Sequence, residues 1–264
     1  MDLQSPEQLF NIKGKVAIVS GALGAFGSIA ARTLVQAGCC VLMADLDEKA
    51  LTAFATELKQ EHGQVDSIFL WPDSEENCNE IVARAVSSFG RVDILVVANG
   101  MTDVDDIVDM KLARFEEVMR VNVSLSWMMC RAAGQQMIAQ GDGGKVVLVS
   151  SARGLLGHPA GYTAYCSSKH AVNGVVKSLG CEWGKHNITV NAIGPTVFRS
   201  TLTGWMFEDD ERATSTREGI LSRIPLGRLG EPEDLAGPLL FLVSPASDFH
   251  TGHTLYPDGG YTAC

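Results

Sequence analysis

Tyr165 and Lys169 stand four residues apart in the run Tyr165-Cys166-Ser167-Ser168-Lys169. On a helix that spacing puts both side chains on one face. An ammonium beside a phenol favours the phenolate and lowers its pKa from about 10, which lets a tyrosine act as a base near neutral pH. Ser150 and Ser151 close an apolar run fourteen residues before Tyr165. A strand end of that kind points into the cleft where open α/β sheets bind ligands. A YxxxK pair alone is common by chance. Joined to a serine at a strand end and to a glycine turn, it becomes specific.

The glycine turn is Ser20-Gly21-Ala22-Leu23-Gly24-Ala25-Phe26-Gly27, between an apolar run and an amphipathic stretch. Its glycines allow a tight turn and close backbone approach. The helix that follows offers free N–H groups and partial positive charge to a pyrophosphate. Asp45 ends the second apolar run, eighteen residues after Gly27. A carboxylate there accepts from both ribose hydroxyls of an adenosine and repels a 2′-phosphate. Asp47 suits the cap of the next helix and leaves Asp45 free. No Arg or Lys follows Asp45 closely or lies in the turn, so the charge argument favours NAD over NADP.

These residues need a scaffold, and the chain supplies an alternating one. Strand-like runs lie at 15–20, 40–44, 67–71, 93–98, 145–150 and 188–193, with a seventh near 253–257. Each is short and apolar on both faces, as in a parallel sheet covered by helices. Helical stretches fall at 25–37, 48–62, 75–89, 111–140, 162–184 and 232–243. This alternation predicts an α/β, doubly wound fold in a single domain spanning 1–264. Residues 200–226 form a long polar insertion after a strand, and long insertions there often act as lids.

The 264 residues carry a net charge of −10 with no Lys/Arg-rich run, which argues against nucleic acid as a partner. No run of eighteen apolar residues predicts a membrane span. The seven cysteines follow no regular spacing, and no CxxC occurs. We expect reduced thiols in a cytoplasmic protein acting on a small molecule.

The glycine turn, Asn122 in RVNVS, Ser151, the Tyr165/Lys169 pair, NAIGP at 191–195 and the segment 225–263 together resemble the short-chain dehydrogenase/reductase family over nearly the whole chain. The resemblance implies a Rossmann-like sheet of seven parallel strands, a homotetramer, and exchange between ketones and secondary alcohols. It implies that Tyr165 exchanges the proton with the substrate oxygen. Lys169 would lower the Tyr165 pKa and hold the nicotinamide ribose. Ser151 would hydrogen-bond the substrate oxygen, and Asn122 would hold a relay water. Cofactor contacts are expected at Ser20, Gly21, Leu23, Phe26, Gly27, Asp45, Leu46, Trp71, Pro72, Ala98, Gly100, Tyr165, Lys169, Pro195, Phe198 and Ser200.

The sequence departs from the family pattern at several points. Ala25 replaces the second turn glycine, Val97-Ala98-Asn99-Gly100 replaces NNAG, and Thr196 replaces the glycine after Pro195. Trp71 replaces the acid after the third strand, where it either walls the adenine or packs in the core. One extra residue separates serine from tyrosine, which leaves Ser150 in competition with Ser151. Arg153, His158 and Trp205 are candidate substrate contacts, Arg153 for a carboxylate or phosphate. His250 and His253 form an HxxH pair with no third ligand in view, so no metal site is expected.

The first reading is an NAD-dependent dehydrogenase of a polyol, sugar acid or other hydroxy acid. A 3-oxoacyl-thioester reductase comes second, because Asp45 and the uncharged stretch 132–140 suit neither NADPH nor an acidic carrier. A non-catalytic dinucleotide-binding protein comes third.

Overall fold

The computed structural model describes residues 3–200 and 203–264. One sheet contains β1 Val16–Ser20, β2 Cys40–Asp45, β3 Val65–Phe69, β4 Ile94–Val97, β5 Gly144–Val149, β6 Ile188–Ile193 and β7 Thr254–Leu255. The strand order is β3-β2-β1-β4-β5-β6-β7, and every pairing is parallel. The helices are α1 Pro6–Leu9, α2 Ala25–Gln36, α3 Glu48–His62, α4 Glu75–Phe89, α5 Leu112–Met119, α6 Leu125–Gln140, α7 Thr163–Trp183, α8 Glu211–Leu221 and α9 Glu233–Val243.

Two apolar cores explain why the strands look apolar on both faces. Ala17, Val19, Val41 and Met43 pack on one face with Leu34 of α2, Leu58 of α3 and Leu239 of α9. Ile18, Leu42 and Ala44 point to the other face, against Ile81 of α4, Met129 of α6 and Val176 of α7. That is the period-two alternation of a strand with helices on both sides. Burying each large side chain contributes about 1.5–3 kcal/mol. Strand order reverses between β1 and β4, so a crevice opens at their carboxyl ends. Asp45 ends β2 on that edge, and the glycine turn and Ser151 follow the ends of β1 and β5 there.

Three boundaries differ from the expected ones. The third strand is Val65–Phe69 rather than 67–71. It pairs with β2 from Val41↔Val65 onward, and Leu70 folds back against the core beside α4 instead of extending the strand. Apolar periodicity does not separate a strand end from a loop that buries its side chains. The stretch 111–140 is two helices joined by a π-helical turn, Arg120–Ser124, that contains Asn122. The polar insertion holds a 3-10 turn, Gly204–Phe207, and α8, which Asp210 caps by accepting the Ala213 N–H at 2.8 Å. Thr201 and Leu202 of the expected lid lie outside the described residues.

Candidate active site

Lys169 is 3% exposed, and its Nζ donates to the Val149 carbonyl at 2.8 Å. The same Nζ lies 5.6 Å from the centre of the Tyr165 ring. Both side chains come from the first half of α7, one turn apart, as the spacing requires. Burial pushes the lysine down to about 8. Burial also raises the Tyr165 phenol, while the hydroxyl of Ser151 and the charge of Arg153 pull it back. The expected lowering of Tyr165 by Lys169 is therefore corrected for the protein alone. Desolvation of the phenolate outweighs an ammonium whose own charge is disfavoured.

The two serines separate clearly. Ser150 is buried and its Oγ faces the backbone of α7, 3.4 Å from the Lys169 carbonyl. Ser151 accepts the Arg153 N–H at 3.1 Å and stands beside Tyr165. Asn122 closes the group from the π turn, a feature common at functional sites. Its Nδ2 donates to Met101 O at 2.9 Å and Ser168 Oγ at 2.8 Å, and its Oδ1 accepts the Met101 N–H at 2.8 Å. Gly100 lies between these residues. A Cβ there would stand 3.4 Å from Asn122 Oδ1 and 3.5 Å from Lys169 Nζ. Ser151, Tyr165, Lys169, Asn122 and Gly100 thus share one region.

The second half of the site is the turn after β1. Gly21 has φ +75, and a Cβ there would meet the Asn99 backbone at 2.8 Å. A Cβ on Gly27 would stand 1.9 Å from the Gly21 carbonyl oxygen, so only glycine lets α2 approach the turn. The cap of α2 is Gly24, without a side-chain hydrogen bond, and no acid lies in the first turn. The leading N–H groups of a helix have no intrahelical partner, so those at Ala25, Phe26 and Gly27 are available to an anion. Asp45 Oδ2 accepts the Leu23 N–H at 2.8 Å, and Oδ1 accepts the Leu46 N–H at 2.7 Å. Asp47 caps α3 through the Ala50 N–H at 2.9 Å, as expected. Asn99 is buried; its Oδ1 accepts from Ser20 Oγ at 2.6 Å while its Nδ2 has no partner. A dinucleotide fits this donor set: open N–H groups for phosphate, a fixed carboxylate for hydroxyls, and an orphaned buried amide.

Other candidates fall into place less directly. The Ser20 hydroxyl is fully buried and directed to Asn99. Ala98 anchors β4 to the Ser20 carbonyl at 2.8 Å, and Pro195 accepts the Ala152 N–H at 2.9 Å. Trp71 is half-buried and Pro72 buried in the loop between β3 and α4. The Phe198 ring lies in the core over Gly230, and Ser200 pairs with Thr203 at 2.9 Å. Trp205 sits under Arg212, 4.7 Å from its guanidinium, and among the described residues its ring stacks on no aromatic neighbour, Tyr165 included. His158 packs on Tyr162 at 4.5 Å, and Tyr162 meets Tyr165 edge-on at 6.2 Å. Tyr162, Arg223 and Tyr261 did not emerge from the sequence, and Asn99 stood out there only within a departure from the family pattern. Tyr162 stands three residues before Tyr165, a spacing that could have pointed to it.

The family described as enoyl-(acyl carrier protein) reductase matches residues 21–262. An uncharacterized oxidoreductase of Mycobacterium tuberculosis is 46% identical over 257 residues, covering 97% of this chain and 94% of its own. The 2-dehydro-3-deoxy-D-gluconate 5-dehydrogenase of Escherichia coli is 35% identical over 260 residues, 96% of this chain and 98% of its own. A gluconate 5-dehydrogenase of Burkholderia cenocepacia, solved with NADP and tartrate, aligns with a TM-score of 0.88 at 26% identity. That alignment covers 97% of this chain and 98% of the other. The match across the chain agrees with the seven-stranded sheet and the grouped Tyr165 and Lys169. The chain belongs to the short-chain dehydrogenase/reductase family and is an oxidoreductase of that family.

Proposed function

We propose that this chain is an NAD(H)-dependent dehydrogenase that interconverts a secondary alcohol and a ketone on a polyol, sugar acid or other hydroxy acid. The observation that carries the reading is the meeting of Ser151, Tyr165 and Lys169 beside the crevice between β1 and β4. When bound, a nicotinamide dinucleotide supplies the hydride acceptor or donor. Backbone N–H groups of Ala25–Gly27 would hold its phosphates, and Asp45 its adenosine ribose.

Tyr165 Oη takes the hydroxyl proton in the oxidising direction and returns it in the reducing direction. Ser151 orients the same substrate oxygen by a hydrogen bond. Lys169, fixed to Val149 O, keeps positive charge near the phenolate and would hold ribose hydroxyls. Asn122 holds the Met101 segment in place and, by its position in the π turn, supports a proton route past Lys169. The segment 203–226 would serve as a lid, because Phe207, Ile220 and Leu221 pack toward Ala152, next to Ser151.

Asp45 supports NAD, since its carboxylate would repel a 2′-phosphate. The NADP in the Burkholderia enzyme favours a second reading, in which this chain takes NADP. The 33% identity over 249 residues to a 3-oxoacyl-[acyl-carrier-protein] reductase of Thermotoga maritima likewise keeps a 3-oxoacyl-thioester reductase as an alternative. A homotetramer is the expected assembly. In α7, Val172, Val176 and Leu179 are buried within this chain and offer no face to a partner. Support for assembly comes from exposed Trp127 and Ile138 of α6. The seven cysteines are all free thiols, which supports a reducing, cytoplasmic setting.

The test is a panel of alcohols, polyols, hydroxy acids and 3-oxoacyl thioesters with NAD(H) and with NADP(H), read by nicotinamide absorbance. The proposal expects alcohol oxidation with a preference for NAD. Turnover confined to thioesters with NADPH contradicts it.

A further inference from the structure

Two guanidinium groups converge on one buried ring at the edge of the Tyr165 region. Tyr261 is 4% exposed. Arg153 Cζ lies 5.4 Å from its ring centre and Arg223 Cζ 4.4 Å. Arg153 also donates to the Tyr261 hydroxyl at 2.7 Å and the Gly157 carbonyl at 2.9 Å. All of these partners are neutral. Arg153 and Arg223, like Arg212 and Arg217 of the insertion, make no ion pair among the described residues, whereas Arg32, Arg84, Arg91, Arg114, Arg120, Arg131, Arg199 and Arg228 each sit on a carboxylate. In a chain of net charge −10, two uncompensated arginines gathered on one buried ring need a reason.

Their place in the fold suggests one. Arg153 follows Ser151 by two residues, and Arg223 follows α8, the helix of the insertion. Ala152, Ile224 and Tyr261 pack in one apolar cluster, which ties the two arginines to a common base. Arg153 acts on the Tyr165 phenol, and both arginines act on His158, whose pKa is pushed down first by burial and then by their charges. The field of Arg153 therefore reaches the Tyr165 oxygen, and that of Arg223 reaches His158 in the same loop. A guanidinium held by neutral partners keeps free N–H donors, and its planar fork matches a carboxylate.

We propose that Arg153 and Arg223 form a carboxylate-binding subsite, so that the substrate is a hydroxy acid rather than a neutral polyol or a thioester. The inference rests on the dehydrogenase reading of the Tyr165 site. Tyr261 is a positioning residue that spaces the two guanidinium groups.

The experiment compares acids with neutral alcohols of the same skeleton: D-gluconate with D-sorbitol, 3-hydroxybutyrate with butane-1,3-diol, and L-lactate with propane-1,2-diol. Each is supplied with NAD and with NADP. In the reducing direction, acetoacetate is compared with acetoacetyl-CoA. The wild type should favour the acid of at least one pair by about tenfold or more in kcat/KM, the scale of a charge-assisted hydrogen bond. Arg223→Gln and Arg153→Gln should each cut that acid-to-neutral ratio by about tenfold, mainly through KM, and Arg223→Glu should cut it further. Arg223 is exposed, so its variants test the idea without disturbing the core. Equal or better use of the neutral members, a preference for acetoacetyl-CoA over acetoacetate, or an unchanged ratio in Arg223→Glu overturns the subsite and leaves the dehydrogenase reading standing. Failure to turn over any member with either cofactor counts against both.

Discussion

The Asp45 carboxylate accepts the Leu23 N–H at 2.8 Å, so the acid that ends β2 also holds the glycine turn that follows β1. A residue proposed to choose the cofactor is thus part of the structure that receives its phosphates. Charge and positioning can be separated by substitution. Asp45→Asn keeps an acceptor for Leu23 and removes the charge, whereas Asp45→Ala removes both. Asn should weaken NAD by about tenfold, the scale of a lost charged hydrogen bond, and narrow the gap to NADP. Ala should weaken both cofactors further. Fluorescence titration of the two cofactors checks this, and a wild type that binds NADP more tightly refutes the assignment.

Gly27 admits no side chain. A Cβ there would stand 1.9 Å from the Gly21 carbonyl oxygen, which is backbone and cannot swing aside. Gly27→Ala should cost at least about 1–3 kcal/mol of stability, the usual range for overpacking, and reduce dinucleotide binding as α2 shifts. Denaturant unfolding measures the first effect. A variant with wild-type stability would show that the turn has more slack than this contact allows.

Lys169 should leave a signature in stability. Its folded pKa of about 8 lies below its unfolded value of about 10.4. Below pH 8 both states hold the proton and the cost of the buried charge is fully present. As pH rises from 8 toward 10.4, the folded state releases the proton first and stability is gained, by about 3 kcal/mol at most. Lys169→Met abolishes that gain. Wild type should therefore rise relative to the variant across this window, in unfolding curves at fixed pH steps. Parallel curves would contradict a strongly depressed Lys169.

Much of this was legible in the sequence because it depends on local spacing. The Tyr165–Lys169 pair follows from helix geometry, and the Asp47 cap follows from its place before α3. Choosing between Ser150 and Ser151 required the fold, since only the packing of β5 against α7 turns one inward and the other toward Tyr165. The insertion was visible only as polar sequence. Its contact with Tyr261 joins residues about forty positions apart through tertiary packing, and no local pattern marks such a meeting. The Tyr165 pKa went the other way from the sequence argument because burial is a property of the whole fold. A spacing rule counts the charge on Lys169 and not the water removed around the phenol.

The central claim is that Tyr165 Oη moves the substrate proton. Tyr165→Phe keeps the ring and removes the hydroxyl, so dinucleotide affinity should stay within a few-fold of wild type. Turnover should fall by at least about 100-fold, the lower end of general acid–base contributions. In the wild type, alcohol oxidation should rise with pH and level off, while ketone reduction falls over the same range. Burial raises the phenol pKa in the protein alone, so a bound oxidised nicotinamide, being positive, should shift that profile downward. The most direct measurement is kcat for alcohol oxidation in Tyr165→Phe, with cofactor affinity measured on the same sample. Lost turnover with retained binding is the predicted result, and near-normal turnover would contradict the account.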